Sequence, residues 1–473
     1  VASGTTVYGV NTGFGALANT AISSADTATL QYKILQSHSV GVGDAIAPEI
    51  ARLMLITKLQ SLAQGYSGVQ LSTLERIAWH IDADVIPVVP EKGSVGASGD
   101  LAPLAHLFLP LIGLGECYYK GQRLPTAQVL QQEELQPVAL GPKEGLALIN
   151  GTQFILSFAV KAVQRMHNCL EAADIIGAMS LEALTGTQAP FDARLHQLRP
   201  FTGTQLVAQR LRLLLKDSAI MQSHVDCGRV QDPYSLRCMP QVHGASRNAW
   251  AHLKELTEIE LNAVTDNPVV LSATDTLSGG NFHGQPLALP LDYACFAAAE
   301  IGNISDRRCY LLLEGKWGLP LLLMNNVGLN SGFMIPQYTT AALVTENKTL
   351  CFPSSADSIP TSLGQEDHVS MGSISGRKLN RVLDNLEYIL AIELLSASQA
   401  IEFRRPLRSS ALLEFAHDVV RNNVTFASED RVFADDINRV AALIKDFSFL
   451  AQVNDFAAGS GIELNQGYSG FKL

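Results

Sequence analysis

Apolar residues recur at steps of three and four along several long segments of the chain. The clearest segment contains Leu379, Val382, Leu383, Leu386, Ile389 and Leu390, and it ends in an apolar turn at Leu395. This spacing places the apolar side chains on one face of an α-helix, and the last turn is almost wholly apolar. The same pattern predicts buried helices over 146–184, 250–259 and 289–313.

Strand patterns are scarce in this sequence. A hairpin is predicted over 117–124, and a strand pair is predicted over 269–277, directly before Ser278-Gly279-Gly280. Both are too short to organise a domain. The pattern therefore predicts a mainly α protein with small β additions, and it shows no internal repeat or low-complexity linker.

The size and charge of the chain narrow the range of functions that it can have. With 473 residues, it exceeds the size at which one compact core keeps growing. Its net charge of −11 argues against nucleic acid or an anionic membrane as the main partner, because both attract clustered Lys and Arg. Its most apolar stretch, residues 101–114, is shorter than the roughly 20 residues that a membrane span needs. An enzyme acting on small molecules fits best.

The cysteines give no sign of a metal site or a disulfide framework. Seven cysteines lie far apart, at positions 117, 169, 227, 238, 295, 309 and 351. None forms a Cys-x-x-Cys pair or a Cys/His ligand pattern. We expect reduced thiols, a cytoplasmic location and no bound metal.

One glycine-rich loop can make an electrophile from its own backbone. In Gly96-Ala97-Ser98-Gly99-Asp100, small residues allow the amide nitrogen of Gly99 to reach the carbonyl carbon of Ala97. Attack at that carbon would close a five-membered ring. Loss of one water from the ring and one from the Ser98 side chain would leave a methylidene conjugated to an imidazolone. An ordinary glycine turn before a helix is the simpler interpretation of this tripeptide taken alone.

The wider sequence resembles the aromatic amino acid ammonia-lyases that carry a methylidene-imidazolone group. The run from Gly93 to His106, GSVGASGDLAPLAH, is similar to the signature of that family. Six further blocks resemble it in order: Tyr8–Gly15, Lys143–Gln153, Gln231–Cys238, Gly279–His283, Asn330–Met334 and Gln365–Met371. The resemblance implies that Ala97, Ser98 and Gly99 form the prosthetic group and that no external cofactor is needed.

The resemblance also implies roles for other residues. Tyr8 is expected to be the catalytic base and Arg237 to pair with the substrate carboxylate, while Asn150 and Tyr234 orient groups around the electrophile. Such a reaction needs a base for the β-proton and a clamp for the carboxylate, and a tyrosine base needs a lowered pKa. Taken alone, Tyr8 could be a packed aromatic residue and Arg237 a surface ion pair.

Two further positions are expected near the substrate. Phe282 matches a family position that lines the pocket, and Gln231 matches one beside the substrate. Asn150 is expected on an otherwise apolar helix, where its amide needs a partner.

Two more residues favour histidine as the substrate. Glu366 stands where histidine-specific members have a carboxylate, and a carboxylate can accept a hydrogen bond from an imidazole N–H. Ser37-His38 resembles the pair that contacts the substrate ring in those members. The expected reaction converts L-histidine to trans-urocanate and ammonia. A tyrosine or phenylalanine ammonia-lyase, or an aminomutase, is the alternative on the same fold.

The resemblance implies an elongated central helical bundle of the ammonia-lyase and fumarase type. We expect an N-terminal region at 1–65, the bundle at 66–400 and a helical cap at 401–473. A homotetramer with shared active sites is also implied, in which Tyr8 and Arg237 serve a site together with the 97–99 loop of another subunit. The run typical of fumarases is absent from the sequence, and an inactive scaffold would lack Ser98, Tyr8 or Arg237.

Overall fold

The computed structural model describes residues 7–13, 15–17, 19–23, 25–225 and 228–473. Helices dominate these residues, so the mainly α prediction is confirmed. In chain order, α1 to α18 are Thr27–His38, Pro48–Ala63, Leu71–Asp82, Leu101–Phe108, Thr126–Gln132, Glu144–Ile149, Gln153–Ala183, Ala193–Gln197, Thr202–Leu214, Ala219–Gln222, Tyr234–Arg237, Met239–Leu261, Gln285–Leu313, Met334–Leu350, Gly372–Glu402, Ala411–Arg421, Phe433–Lys445 and Ser448–Gly459. Short 3₁₀ turns lie at Gly15–Leu17, Leu109–Ile112, Ala189–Phe191, Ser362–Gly364 and Ser469–Phe471.

The β-structure is small and antiparallel. In chain order, β1 to β7 are Val42–Ala45, Ile86–Pro87, Pro90–Lys92, Glu116–Tyr119, Gln122–Pro125, Val269–Val270 and Thr276–Leu277. β1 pairs with β3, β4 lies between β2 and β5, and β6 pairs with β7. The two predicted hairpins are therefore confirmed. The β1–β3 pair and β2 were not predicted, because their strands are too short to show an alternating pattern.

The chain divides into two compact units. The first contains residues 1–161, 253–292 and 353–377, and the second contains residues 162–252, 293–352 and 378–473. Four boundaries fall within the long helices α7, α12, α13 and α15. The division expected from the sequence, at residues 65 and 400, is a different partition and stays a prediction. In the part of the chain that the structure describes, no helix is long and apolar enough to cross a membrane.

In the first unit, α1, α2, α4 and α6 pack around one apolar core. Its fully buried members include Leu35, Met54, Leu104, Phe108 and Leu148. Removal of these side chains from water supplies most of the stabilisation of the unit. The core fixes the start of α4, and the 93–100 loop leads directly into that helix.

α6 is held especially close to α1. A Cβ on Gly145 would lie 2.5 Å from the carbonyl oxygen of Gln31, so only glycine permits this approach. The side chain of Gln31 then accepts a hydrogen bond from the Gly145 N–H at 2.9 Å. This contact fixes the helix that leads to Asn150.

The second unit contains a buried network of ionised side chains. Arg210 and Arg247 each bond to both Glu171 and Asp174 at 2.6–2.7 Å, and His243 Nδ1 lies 2.7 Å from Asp174. Burial alone would raise the pKa of Asp174, but Arg247, His243 and Arg210 hold it well below its usual range. Loss of one member would leave a buried charge unpaired, so the network ties α7, α9 and α12 together.

One sequence prediction of a continuous helix is wrong in part. Residues 146–184 were expected to form one helix, but the chain breaks at residues 150–152 between α6 and α7. Asn150 is extended, with φ −85° and ψ 127°, and Gly151 has a φ of +132°. Asn150 is therefore not on a helix. The apolar period continues on both sides of the break, so periodicity alone does not reveal it. The other three predicted helices lie within α12, α13 and α15.

Candidate active site

Four of the predicted site residues line one cavity of about 460 Å³ in the first unit. They are Tyr8, His38, Ser98 and Glu366. The rest of the lining consists of Gly13, Gly15, Ala16, Leu17, Thr20, Ile22, Leu30, Ile34, Ser37, Leu101, Leu146 and Ser362. The volume lies in the range of about 300–1,000 Å³ that is typical of small-molecule sites. A mostly apolar wall with a few polar groups suits an aromatic amino acid.

The loop that carries Ser98 has the backbone of a tight turn. Gly96, Ser98 and Gly99 have φ values of +79°, +55° and +80°. A positive φ is uncommon for serine and persists only where the surrounding structure imposes it. The loop therefore forms the tight turn that was expected from its small residues.

A second segment of the first unit holds this loop in place. The Met371 N–H donates to the Val95 carbonyl at 3.0 Å, and the Ser373 hydroxyl donates to the Ser94 carbonyl at 2.6 Å. A Cβ on Gly96 would lie 2.2 Å from Ser370 Oγ. The loop is thus fixed by contacts with residues 370–373 and not only by its own glycines.

Gly99 lies directly against Gly151. A Cβ on Gly99 would be 2.1 Å from the Gly151 carbonyl oxygen, and that oxygen accepts from the Asp100 N–H at 2.7 Å. The two glycines form a parallel bridge. No larger residue fits at position 99, so the packing against Gly151 requires glycine there.

Asn150 contacts the carbonyl group of Ser98. Its Nδ2 donates to the Ser98 oxygen at 3.1 Å, and the Gly151 N–H lies 3.4 Å from the same oxygen. Its Oδ1 is buried and has no hydrogen-bond partner among the described residues. A buried acceptor of this kind calls for a donor that the chain itself does not provide. The residues around Ser98 thus fit a methylidene-imidazolone group and an amine-bearing substrate.

Asp100 anchors the end of the loop. Its fully buried carboxylate accepts from the Ile155 N–H at 2.9 Å and from the Ser94 hydroxyl at 3.0 Å. Burial raises the pKa of Asp100 to about 7, although these hydrogen bonds lower it. Asp100 belongs to the 93–106 run that resembles the family signature, but the sequence alone indicates no role for it.

Tyr8 lies in the cavity with its hydroxyl oxygen accepting from the Gly15 N–H at 3.1 Å. Burial raises the pKa of Tyr8, the Gly15 hydrogen bond lowers it, and the charge of Glu366 raises it further. A tyrosine that acts as a base needs the opposite shift. These contacts alone therefore do not activate Tyr8.

The expected sharing of Tyr8 with another subunit needs correction. Tyr8 and Ser98 of the same chain line the same cavity. Tyr8 therefore needs no second subunit to meet the 97–99 loop. The sequence alone could not distinguish a site within one chain from a site shared between subunits, because it does not show which subunit contributes each residue.

His38 ends α1 at the cavity wall. Its Nδ1 lies 3.0 Å from Ser37 Oγ, and that hydroxyl donates to the Ile34 carbonyl at 3.3 Å. With the Ser37 hydrogen directed at that carbonyl, the tautomer that fits this contact carries its proton on Nδ1 and has Nε2 as an acceptor. Burial lowers the pKa of His38, although the Ile34 carbonyl opposes this, so the ring favours its neutral form.

Glu366 provides a second acceptor. Its Oε2 is buried and has no partner within the described ranges, and a Cβ on Gly15 would lie 3.3 Å from Oε1. A buried carboxylate oxygen without a donor is costly unless a ligand supplies one. An imidazole N–H would satisfy it, whereas a phenyl ring would not.

The other predicted residues lie elsewhere. Gln231, Tyr234 and Arg237 belong to the second unit, where the Arg237 guanidinium lies 4.7 Å from the centre of the Tyr234 ring. Arg237 Nε is buried without a partner among described residues, while Tyr234 is 70% exposed and Gln231 is also exposed. Phe282 is half-buried in the first unit and is not among the described residues that line the cavity.

Sequence reasoning missed Lys58, which is buried beside Asn150. A lone lysine within a helix gives no sign of burial, so no feature of the sequence separates it from the exposed lysines. In the part of the chain that the structure describes, no group of three or more His, Cys, Asp or Glu side chains is placed to hold a metal ion.

Comparison with known proteins agrees with this geometry. The profile of the family described as aromatic amino acid lyase matches residues 1–422. A histidine ammonia-lyase from Sorangium cellulosum is 50% identical over 457 residues, which cover 95% of this chain and 89% of that protein.

Two solved structures are similar along most of the chain. Histidine ammonia-lyase from Trypanosoma cruzi has 42% identity and a TM-score of 0.88, covering 96% of this chain and 86% of that one. Tyrosine aminomutase from Streptomyces globisporus has 35% identity and a TM-score of 0.91, covering 96% and 90%. The predicted ammonia-lyase fold is confirmed. The chain therefore belongs to the aromatic amino acid lyase family and is a carbon–nitrogen lyase.

Proposed function

We propose that this protein is a histidine ammonia-lyase, which converts L-histidine to trans-urocanate and ammonia. One observation carries the proposal: a single cavity joins the Ser98 loop to Tyr8 and to two acceptors suited to an imidazole, His38 and Glu366. The histidine ammonia-lyases among its relatives support the same substrate.

The electrophile is proposed to form from Ala97, Ser98 and Gly99. The methylidene-imidazolone would supply an electrophilic carbon that activates the substrate for loss of its amine. Asn150 Nδ2 and the Gly151 N–H donate toward the Ser98 carbonyl oxygen, so they can stabilise negative charge at that atom. The orphaned Oδ1 of Asn150 can accept from the substrate ammonium.

Tyr8 is proposed to take the β-proton. The Gly15 N–H already donates to its oxygen and would stabilise the phenolate. The substrate ammonium would bring into the cavity the positive charge that lowers the pKa of Tyr8. Proton transfer from the β-carbon to the Tyr8 oxygen leaves the electron pair for the new double bond as the amine departs.

The imidazole ring is proposed to bind between His38 and Glu366. His38 Nε2 and Glu366 Oε2 are both acceptors, and an imidazolium offers two N–H donors. This pairing would also hold the β-carbon near Tyr8. Binding of a neutral phenyl ring would leave both acceptors desolvated and unpaired, which costs free energy.

We further propose that Arg237 clamps the substrate carboxylate, with Tyr234, Gln231 and Phe282 around it, in a homotetramer. Arg237 Nε has no partner among the described residues and Tyr234 is exposed, so a ligand or a neighbouring subunit can contact both. A cytoplasmic location is also proposed, since the seven cysteines lie far apart in the sequence and show no disulfide framework.

An aminomutase is the second candidate, because the tyrosine aminomutase of Streptomyces globisporus has the same fold. The two candidates share the electrophile and differ in the fate of the ammonia. Glu366 and His38 favour histidine over tyrosine.

The test is a substrate panel. Purified protein would be incubated with L-histidine, L-tyrosine and L-phenylalanine, and ultraviolet absorbance would be recorded beside a Ser98→Ala control. We expect a urocanate band with histidine alone, absent in the control. A coumarate or cinnamate band, or a β-amino acid product without free ammonia, would overturn histidine deamination.

A further inference from the structure

Lys58 is a fully buried cation that the proposed chemistry leaves unused. It lies on α2 and is 1% exposed, and its ammonium donates to the carbonyl oxygen of Asn150. A buried ammonium is costly in free energy unless its contacts compensate it. Lys58 lies next to Asn150, and Asn150 contacts Ser98, so the burial of this ammonium needs a structural reason.

The contact links Lys58 to both donors that face the Ser98 oxygen. The carbonyl of Asn150 and the N–H of Gly151 belong to the same planar peptide group. A hydrogen bond to that carbonyl fixes the plane, and in a low dielectric it also polarises the group and strengthens its N–H as a donor. That N–H lies 3.4 Å from the Ser98 oxygen, and Asn150 Nδ2 lies 3.1 Å from it.

The buried ammonium of Lys143 has other partners than the Asn150 carbonyl. The Lys143 ammonium is paired with Asp266 and also donates to the Ser67 carbonyl at 2.9 Å. Burial lowers the pKa of Lys58 to about 8, with Asp266 and Asp100 raising it and Lys143 lowering it. Lys58 therefore keeps its proton at neutral pH in spite of burial.

We propose that Lys58 is a positioning residue for the electrophile: through the Asn150–Gly151 peptide it sets the two donors on the Ser98 carbonyl oxygen. This inference rests on the proposed function. Lys58 itself touches neither the substrate nor the 97–99 loop in this account. Its effect is on kcat and on maturation of the loop, not on substrate affinity.

Lys58→Met and Lys58→Gln separate this role from packing. Methionine fills space without donating, whereas glutamine retains a neutral donor. Lys143→Met is the matched control, because it removes another buried ammonium of the same unit that does not contact Asn150. For each variant we would measure the cyclised fraction by intact mass, the urea unfolding midpoint, and kcat and KM per cyclised chain.

In Lys58→Met, kcat per cyclised chain is expected to fall about 100-fold, because a small misplacement of a preorganised donor costs that much. KM is expected to change by less than roughly threefold, since the contacts that bind the substrate in its ground state are unchanged. Lys58→Gln should recover part of the loss. Lys143→Met should lose stability and keep its kcat.

Two results would overturn the role of Lys58 while leaving the proposed function intact. One is a cyclised, folded Lys58→Met with unchanged kcat. The other is equal loss of kcat in Lys58→Met and Lys143→Met, in step with lost folded protein. A parent protein that is not lighter by two waters would instead overturn the proposed electrophile.

Discussion

The side-chain nitrogen Nδ2 of Asn150 lies 3.1 Å from the carbonyl oxygen of Ser98, and Asn150 stands on a stretch of chain that is not helical. The extended backbone of Asn150 and the positive φ of Gly151 turn two N–H donors toward one oxygen. A continuous helix would have used the Gly151 N–H in its own ladder. The break between α6 and α7 is therefore what makes this site.

Replacement of Asn150 tests these donors. Asn150→Ala is expected to lower kcat about 100- to 1,000-fold, the usual effect of removing one preorganised donor to a developing negative charge. The rate should be expressed per cyclised chain, from intact mass. A cyclised variant with a kcat close to the parent value would contradict the role given to Asn150.

Gly99→Ala tests the close approach of Gly99 to Gly151. The new Cβ would lie 2.1 Å from the Gly151 carbonyl oxygen, so the loop cannot keep its shape, and intact mass should show no loss of water.

Gly121→Ala is the control for Gly99→Ala. Gly121 has a similar φ of +75° and no atom within 4 Å of the added carbon. It should cost about 1–2 kcal/mol of stability from backbone strain and leave cyclisation unchanged. If both variants cyclised equally, the packing of Gly99 on Gly151 would not matter.

Glu366→Gln tests the choice of substrate. Loss of the charged acceptor should lower kcat/KM for L-histidine roughly 10- to 100-fold, because a hydrogen bond to a charged group contributes about 1.5–3 kcal/mol. The neighbouring exposed Asp367→Asn is the control and should keep the parent value. Equal activity of Glu366→Gln and the parent on histidine would exclude a ring contact at this residue.

The buried His80 predicts a pH dependence of stability. Burial lowers the pKa of His80 to about 4, although the Val85 carbonyl, 2.9 Å from its Nδ1, raises it. Between about 4 and the ordinary value of 6.5, the unfolded chain binds a proton that the folded chain does not. The free energy of unfolding should therefore fall as the pH falls through this window, by up to about 1.4 kcal/mol per pH unit.

Urea unfolding across that window checks this prediction. His80→Gln keeps a donor for Val85 and removes the titration, so its stability should depend less steeply on pH. Parallel curves for the variant and the parent would mean that His80 does not contribute.

Part of the candidate site could be predicted from the sequence, because the segments that contain its residues resemble those of the aromatic amino acid ammonia-lyases. Ser98, Tyr8, His38 and Glu366 come from four separate blocks and line one cavity. The helices followed from apolar periodicity. The predictions that were wrong or missing concern features that depend on contacts between distant parts of the chain.

The failures have physical reasons. The break at Asn150 lies inside an apolar run, where only the backbone of Gly151 marks it. Lys58 is buried in contact with Asn150, which is 92 residues away in sequence. β1 is four residues long and mostly exposed, so it shows no pattern before it meets β3.

The mass of the tryptic peptide from Gly93 to Lys120 tests the central claim most directly. This peptide contains Ala97, Ser98 and Gly99 and no internal Lys or Arg. The account predicts that, in the purified protein, it is lighter than its sequence mass by two waters, and that Ser98→Ala abolishes the difference. A peptide of full sequence mass from a folded parent protein would contradict the electrophile and the deamination built on it.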